Sequence, residues 1–335
     1  MLSVGRDLLN SLVMDEAMVP ASDPGIEIYV RNKRSAELTR FSADRTVIFV
    51  HGATYPAEVS FDLRLDGLSW MDYIAARGFD VYLLDIRGYG RSTRPPEMDE
   101  PPEKHPPIAR TDSAVRDVSA VVDYVLRRRG IEAVNLLGWS WGTTIMAAYA
   151  AGNAAKVKRL VLYAPGWIRT TPSMVQVSGP LGAYRTVTRQ QAFERWMTGI
   201  PEARKTEIVP PAWFAQWADA TFASDPYSAR HGGEVIRATN GVVLDSQEYW
   251  LKGRPLYDPA RLTMPVMLVL AEWDRDTPPY MAQSLFPLLT NAPWKRHVLI
   301  GEGTHSVMME KNRLQLFREV QLFLEEEPPT SSHTA

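Results

Sequence analysis

Ser140 stands between Gly138 and Gly142 in the string Gly-Trp-Ser-Trp-Gly, directly after the run Ala133-Val134-Asn135-Leu136-Leu137. That run reads as a short buried strand, and the small residues from Thr143 to Ala151 read as a helix, so the serine falls on the bend between them. On so tight a bend a side chain two positions before or after the serine would collide with neighbouring backbone, which is why glycine is needed at both places. The bend leaves the hydroxyl exposed above the sheet, and that context makes Ser140 a candidate activated nucleophile.

A serine hydroxyl is a poor nucleophile at neutral pH and needs a base that takes its proton and later returns it to the leaving group. Of the six histidines, His305 is the best placed. It lies in Gly301-Glu302-Gly303-Thr304-His305, a turn after the last short strand, where a parallel sheet brings its loops to one edge. His297 would lie at the opposite end of that strand, and His333 is in the tail. The imidazole in turn needs a carboxylate to fix its tautomer and offset its charge. The strand Val266–Ala271 runs into Glu272-Trp273-Asp274-Arg275-Asp276-Thr277-Pro278 and offers two candidates. Asp274 is the expected partner, and Asp276, followed by Thr277 and Pro278, is expected to cap a helix starting near Pro279. Attack on a carbonyl also requires two backbone donors aimed at the developing oxyanion. The amide of Trp141 is the first, and the amide of Ala53, in the turn His51-Gly52-Ala53, is the second. The His51 ring is expected to be a structural hydrogen-bonding element in that turn.

The elements that must position these groups alternate along the chain. Strands are expected at Ile26–Arg31, Thr46–Val50, Phe79–Leu84, Arg159–Tyr163, Val266–Ala271 and His297–Ile300, besides the one before Ser140. Helices are expected over Leu63–Arg77, from an N-cap at Asp112 to Arg129, and at Pro279–Leu289 and Val307–Glu325. Strands that are continuous apolar runs alternating with helices predict an α/β fold with a mostly parallel sheet covered on both faces. Six prolines between Arg94 and Pro107 mark a surface loop.

Between Pro165 and Asp258 the alternation stops. The segment has helical stretches and prolines but no convincing strand, and it carries twelve aromatic residues, too much such surface to leave exposed. The expected division is therefore a core of residues 1–165 and 259–327, an inserted helical cap of 166–258, and a flexible tail of 328–335. Most of the cap aromatics read as core packing. Trp139, Trp167 and Trp273 flank the chemical segments and are candidates to line an apolar substrate cleft, although Trp139 could equally pack beneath the bend.

The 335 residues suffice for one large domain with an insertion, and 37 basic against 39 acidic residues give a net charge of −2. That balance offers no general attraction for nucleic acid or anionic membrane. With no cysteine, thiolate catalysis and cysteine-ligated zinc are excluded. Arg6, Asp7, Asp15 and Glu16 interrupt the apolar residues of Met1–Pro20, so neither a secretory leader nor a membrane span is expected, and a cytoplasmic location is the default.

His51-Gly52-Ala53, Asp85-Ile86-Arg87-Gly88-Tyr89-Gly90-Arg91-Ser92, the Gly138–Gly142 string, Asp274 and Gly303-Thr304-His305 together resemble the α/β-hydrolase superfamily. The resemblance implies an eight-stranded, mostly parallel sheet, the roles of nucleophile, acid and base for Ser140, Asp274 and His305, and no cofactor. Members that open epoxides or remove halides place aspartate at the bend, whereas this chain has Ser140. Ala53-Thr54-Tyr55-Pro56 departs from the Gly-rich oxyanion loop of lipase-like members. Gly-Trp-Ser-Trp-Gly with Gly90-Arg91-Ser92 also resembles the proline iminopeptidase branch, but no acidic amine-binding site is identified. The expectation is a serine hydrolase cleaving a carboxylic ester of a small, largely apolar molecule through an acyl-enzyme. Amide, lactone or carbon–carbon hydrolysis by the same residues, and a ligand-binding sensor on the same scaffold, are the alternatives.

Overall fold

Continuous apolar runs become the interior of one sheet. The computed structural model describes residues 9–175, 177 and 179–327, so the expected tail of 328–335 lies outside the described residues. In chain order the strands are β1 (Leu12–Pro20), β2 (Glu27–Ser35), β3 (Thr46–Val50), β4 (Asp80–Leu84), β5 (Val134–Trp139), β6 (Val157–Tyr163), β7 (Tyr184–Thr188), β8 (Val235–Thr239), β9 (Val266–Ala271) and β10 (Lys295–Ile300). Eight form the main sheet in the order β1-β2-β4-β3-β5-β6-β9-β10. The pairs β1/β2 and β2/β4 are antiparallel, and all others in that sheet are parallel. Every residue of β3, β4, β5 and β9 is buried, as strands covered on both faces require.

Helices Thr111–Arg129 and Trp141–Gly152 cover one face, where Val118, Val122 and Ile145 pack with Ile48 and Leu136. Helices Trp70–Ala75 and Arg313–Glu325 cover the other, with Trp70 stacked on Phe317 at a ring-centroid distance of 5.0 Å. The chain passes from β3 to β4 on one side and then to β5 on the other, so the loops after β3 and β5 meet at a reversal of strand order. Ligands favour such crevices at the carboxyl ends of strands. The pairings Val50↔Gly138, Trp139↔Tyr163 and Ile300↔Ala271 bring the turns after β3, β5, β6, β9 and β10 to one edge.

Several local expectations are corrected. β1 was not expected: Asp15 and Glu16, which break its apolar pattern, sit on an edge strand, where Glu16 faces Arg31 across the ladder in a 3.0 Å ion pair. The helix expected over Leu63–Arg77 is confined to Trp70–Ala75, because Ser69 and Asp72 form a reciprocal capping box that starts it late. Asp112 does not cap its helix. The backbone amide of Thr111 donates instead to Asp245 Oδ2 at 2.8 Å, so the cap comes from a distant helix, Gly241–Glu248.

Residues 166–258 leave the sheet and carry helices Arg189–Met197, Pro211–Ala223 and Gly241–Glu248, among shorter ones. They also hold two strands, contrary to expectation: β7 and β8 pair antiparallel from Tyr184↔Thr239 to Thr188↔Val235. Arg185 and Arg237 obscured these strands because each puts a charged side chain at a buried position. Arg237 is paired there with Asp225 at 2.7 Å. The segment meets the loop after β3 through Tyr55, set edge-on to Trp217 at 4.8 Å, and Trp217 packs within the segment edge-on to Trp196 at 5.0 Å.

Candidate active site

The bend after β5 has the geometry that its glycines foretell. Ser140 has φ 57° and ψ −121°, a sparsely populated conformation for a residue with a side chain. A Cβ on Gly138 would lie 2.2 Å from the carbonyl oxygen of Gly142, and a Cβ on Gly142 would lie 2.6 Å from the carbonyl oxygens of both Val50 and His51. The strained backbone is tied on both sides. Ser140 N donates to Tyr163 O at 2.9 Å, and Ser140 O accepts from the amide and hydroxyl of Thr143 at 2.9 and 2.5 Å.

Asp274 and His305 come together 31 residues apart in sequence, with His305 Nδ1 2.8 Å from Asp274 Oδ2. Asp274 is fully buried, and its carboxylate is held from the other side by Thr277, whose amide donates to Oδ1 at 2.8 Å and whose hydroxyl donates to Oδ2 at 2.9 Å. Sequence reasoning passed over Thr277, although an acidic residue followed three positions later by threonine is a recurrent local hydrogen-bonding pattern. The His305 loop is fixed at its carbonyl, which accepts from Trp139 Nε1 at 3.0 Å and from Tyr163 Oη at 2.8 Å. With Nδ1 so engaged, Nε2 is buried and has no hydrogen-bond partner among the described residues.

Asp276 does not cap the helix Pro279–Leu285, whose N-cap is Pro278 and which has no side-chain cap. Its carboxylate is gripped by Arg195, from Nε at 3.2 and 3.0 Å and from NH2 at 3.0 Å. Burial is the largest influence on Asp276 and opposes its charge, but Arg195 together with the nearby His305 and Arg169 outweighs it and lowers the pKa.

Ser140 lines a cavity together with Ala53, Trp141, Trp167, Arg195 and Asp276. An adjoining smaller cavity is lined by His305, Trp139, Tyr55 and the same Arg195 and Asp276. Trp273 lines neither of them; its amide donates to Gly303 O at 2.9 Å, which joins the Asp274 turn to the His305 turn. Trp139 is buried and stacks on Tyr163 as well as reaching the second cavity. The amide of Trp141 opens the helix Trp141–Gly152, where no intrahelical acceptor exists for it. After Ala53 the chain turns through Thr54 at φ 92°, an unusual conformation for a β-branched residue. The His51 ring is buried and spans its turn, Nδ1 to Gly52 O at 2.6 Å and Nε2 accepting from Ile86 N at 3.0 Å; burial lowers its pKa. Among the described residues no group of three or more histidine or acidic side chains is placed to hold a metal ion.

A family model for the α/β-hydrolase fold matches residues 45–312, which takes in the six parallel strands of the main sheet, the bend and both turns of the Asp274–His305 pair. The chain belongs to the α/β-hydrolase family. This α/β-hydrolase is 28% identical over 131 residues to the proline iminopeptidase of Neisseria gonorrhoeae, a match covering 39% of the chain and 37% of that protein. It is 31% identical over 122 residues to the N-formylmaleamate deformylase of Pseudomonas putida, covering 36% and 37% respectively. Each match thus spans little more than a third of the relative. Among solved structures, a serine hydrolase involved in carbazole degradation superposes with a TM-score of 0.63 at 15% identity over 93% of this chain and 99% of that one. At that identity the likeness concerns the fold.

Proposed function

We propose that this α/β-hydrolase family member is a serine hydrolase that cleaves a carboxylic ester through an acyl-enzyme. The observation that carries the reading is the 2.8 Å pairing of His305 Nδ1 with the buried Asp274, which leaves Nε2 as the free basic nitrogen. In this reading Ser140 Oγ attacks the ester carbonyl as His305 takes its proton, and the amides of Ala53 and Trp141 receive the oxyanion. His305 then returns the proton to the departing alcohol. Water, deprotonated by the same ring, attacks the acyl-enzyme carbonyl and releases the acid. Residues 166–258 act as the cap that encloses the acyl group, with Trp167 on its wall.

The same residues serve amide cleavage, and the names of the iminopeptidase and deformylase relatives favour including amides in the test. A fluorophosphonate probe is expected to label the protein, and labelling to vanish in Ser140→Ala. Labelling that survives this substitution would remove Ser140 as nucleophile. Nitrophenyl esters, aminoacyl anilides and lactones assayed side by side then rank the bond classes, with esters expected to turn over fastest.

A further inference from the structure

Two guanidinium groups line the cleft, a third lies on an adjacent cavity, and one carboxylate lines the cleft with them. Arg169 and Arg195 both line the cavity that holds Ser140, and Asp276 is the one acidic residue lining it. Arg195 takes up that carboxylate through two of its nitrogens. Among the described residues Arg169 reaches only main chain: NH1 donates to Pro172 O at 3.1 Å and NH2 to the backbone carbonyl of Asp276, while Nε is buried and has no partner among them. Arg185 lies on an adjacent cavity shared with Arg195 and is itself buried. It donates to Thr239 O at 2.8 Å, Asn240 Oδ1 at 3.3 Å and Thr54 Oγ1 at 2.7 Å, and to no carboxylate among the described residues. The acidic residue on that adjacent wall, Glu194, is exposed and accepts from Gln190 at 2.7 Å.

Withdrawing a cation from water is costly, and the cost shows in both groups. Burial lowers the pKa of the half-buried Arg169 against the opposing charges of Asp276 and Asp274, and brings that of the buried Arg185 down to about 10, with the charge of Arg195 adding to both shifts. The whole chain is slightly acidic, so this excess of positive charge is local. Some buried arginines away from the cleft are answered by carboxylates, Arg87 by Asp117 at 2.5 Å and Arg237 by Asp225 at 2.7 Å, whereas Arg313, which lines neither this cavity nor the adjacent one, reaches only main-chain carbonyls among the described residues.

We infer that the substrate bears a free carboxylate, seated against Arg169 beside the bond that Ser140 attacks. This rests on the hydrolytic reading above and narrows its substrate class from a largely apolar ester to an acidic one. A carboxylate fits because its two coplanar oxygens match the edge of a guanidinium, and Arg169 has such an edge in its Nε, unpartnered among the described residues, and the neighbouring NH2. Trp167, Val242, Val243 and Trp250 on the same wall would cover a short carbon chain between the two carbonyl carbons.

Two matched ester pairs test this. Nitrophenyl hydrogen glutarate differs from nitrophenyl valerate by a carboxylate in place of the terminal methyl, and butyryl glycolate differs from ethyl butyrate by a carboxylate on the alcohol side. A kcat/KM at least tenfold higher for the acidic member of either pair is expected, with that preference collapsing in Arg169→Met. Preference for the neutral member in both pairs, or a preference that persists undiminished in Arg169→Met, would overturn the inference. Glutarate binding to Ser140→Ala by calorimetry separates the two levels. Binding that requires Arg169, with no ester or amide turned over by the native enzyme, sinks the hydrolytic reading while retaining the anion site. Turnover of neutral esters with no glutarate binding sinks the anion site alone.

Discussion

Trp139 Nε1 donates to the backbone carbonyl of His305 at 3.0 Å, so the residue preceding the proposed nucleophile also anchors the proposed base. Tyr163 Oη holds the same carbonyl at 2.8 Å, and the Tyr163 and Trp139 rings stack 6.3 Å apart. Removing one donor leaves the other. Trp139→Phe or Tyr163→Phe alone is expected to cost about 1 kcal/mol of stability, the net value of one such bond. The double variant leaves a buried carbonyl unsatisfied and should cost more than the sum, with kcat falling further than KM changes. Urea titrations and ester kinetics on the four proteins check this; strict additivity would show that the two donors act separately.

The two aspartates after β9 separate by function. Asp274→Asn keeps the shape but favours the wrong imidazole tautomer, and kcat should fall by about 10⁴-fold with the fold intact. Asp276→Asn leaves Arg195 without its carboxylate in a largely buried place. Breaking such a pair costs about 3 kcal/mol or more, so the main effect should be a lower unfolding midpoint, with a smaller drop in kcat. If the two variants exchange these phenotypes, Asp276 and not Asp274 serves the histidine.

Interior strands were legible because parallel strands buried on both faces need unbroken apolar runs, as in Thr46–Val50 and Val266–Ala271. The bend was legible because steric collision dictates glycine at 138 and 142. What escaped notice depends on partners far along the chain. β1 exists because Arg31 and Arg34 neutralise Glu16 and Asp15 across an edge. β7 and β8 carry arginines whose burial only the folded neighbours explain. Asp112 had the type and place of an N-cap, but Asp245, 134 residues beyond Thr111, reaches that amide. Nothing in the spacing of Arg169 and Arg195 told that they would face one cleft.

The steric account of the bend is testable without any substrate. Gly138→Ala forces a methyl group to within 2.2 Å of a carbonyl oxygen in Gly142, and neither is on a flexible side chain. Backbone must move, at an expected cost of about 3 kcal/mol or more. Gly152→Ala, at the end of the following helix, meets nothing within 4 Å and serves as the control. Thermal unfolding should separate the two by well over 5 °C; equal midpoints would mean that the bend relaxes freely.

Glu310 offers a test in pH. It is fully buried beneath the His305 loop, where Thr304 N donates to Oε2 at 3.1 Å, and Thr304 Oγ1 and Trp196 Nε1 donate to Oε1. Burial raises its pKa from an ordinary 4.5 to about 7 against the pull of those donors, and the nearby charge of Asp274 adds to the rise. The native state thus binds this proton more tightly than the unfolded chain. The associated stability is fully present below pH 4.5 and is lost as pH rises through about 7. At about 1.4 kcal/mol per tenfold of proton affinity, that gap amounts to about 3 kcal/mol. Glu310→Gln does not titrate, so the stability of wild type minus variant should fall by about 2 kcal/mol between pH 5.5 and pH 8, measured by urea unfolding at both. Taking the difference cancels other groups, including His51, whose lowered pKa contributes with the opposite sign in acid. A difference that stays constant across this range would mean that the three donors keep Glu310 ionised throughout, and that the loop carrying His305 rests on a buried carboxylate and not on a neutral acid.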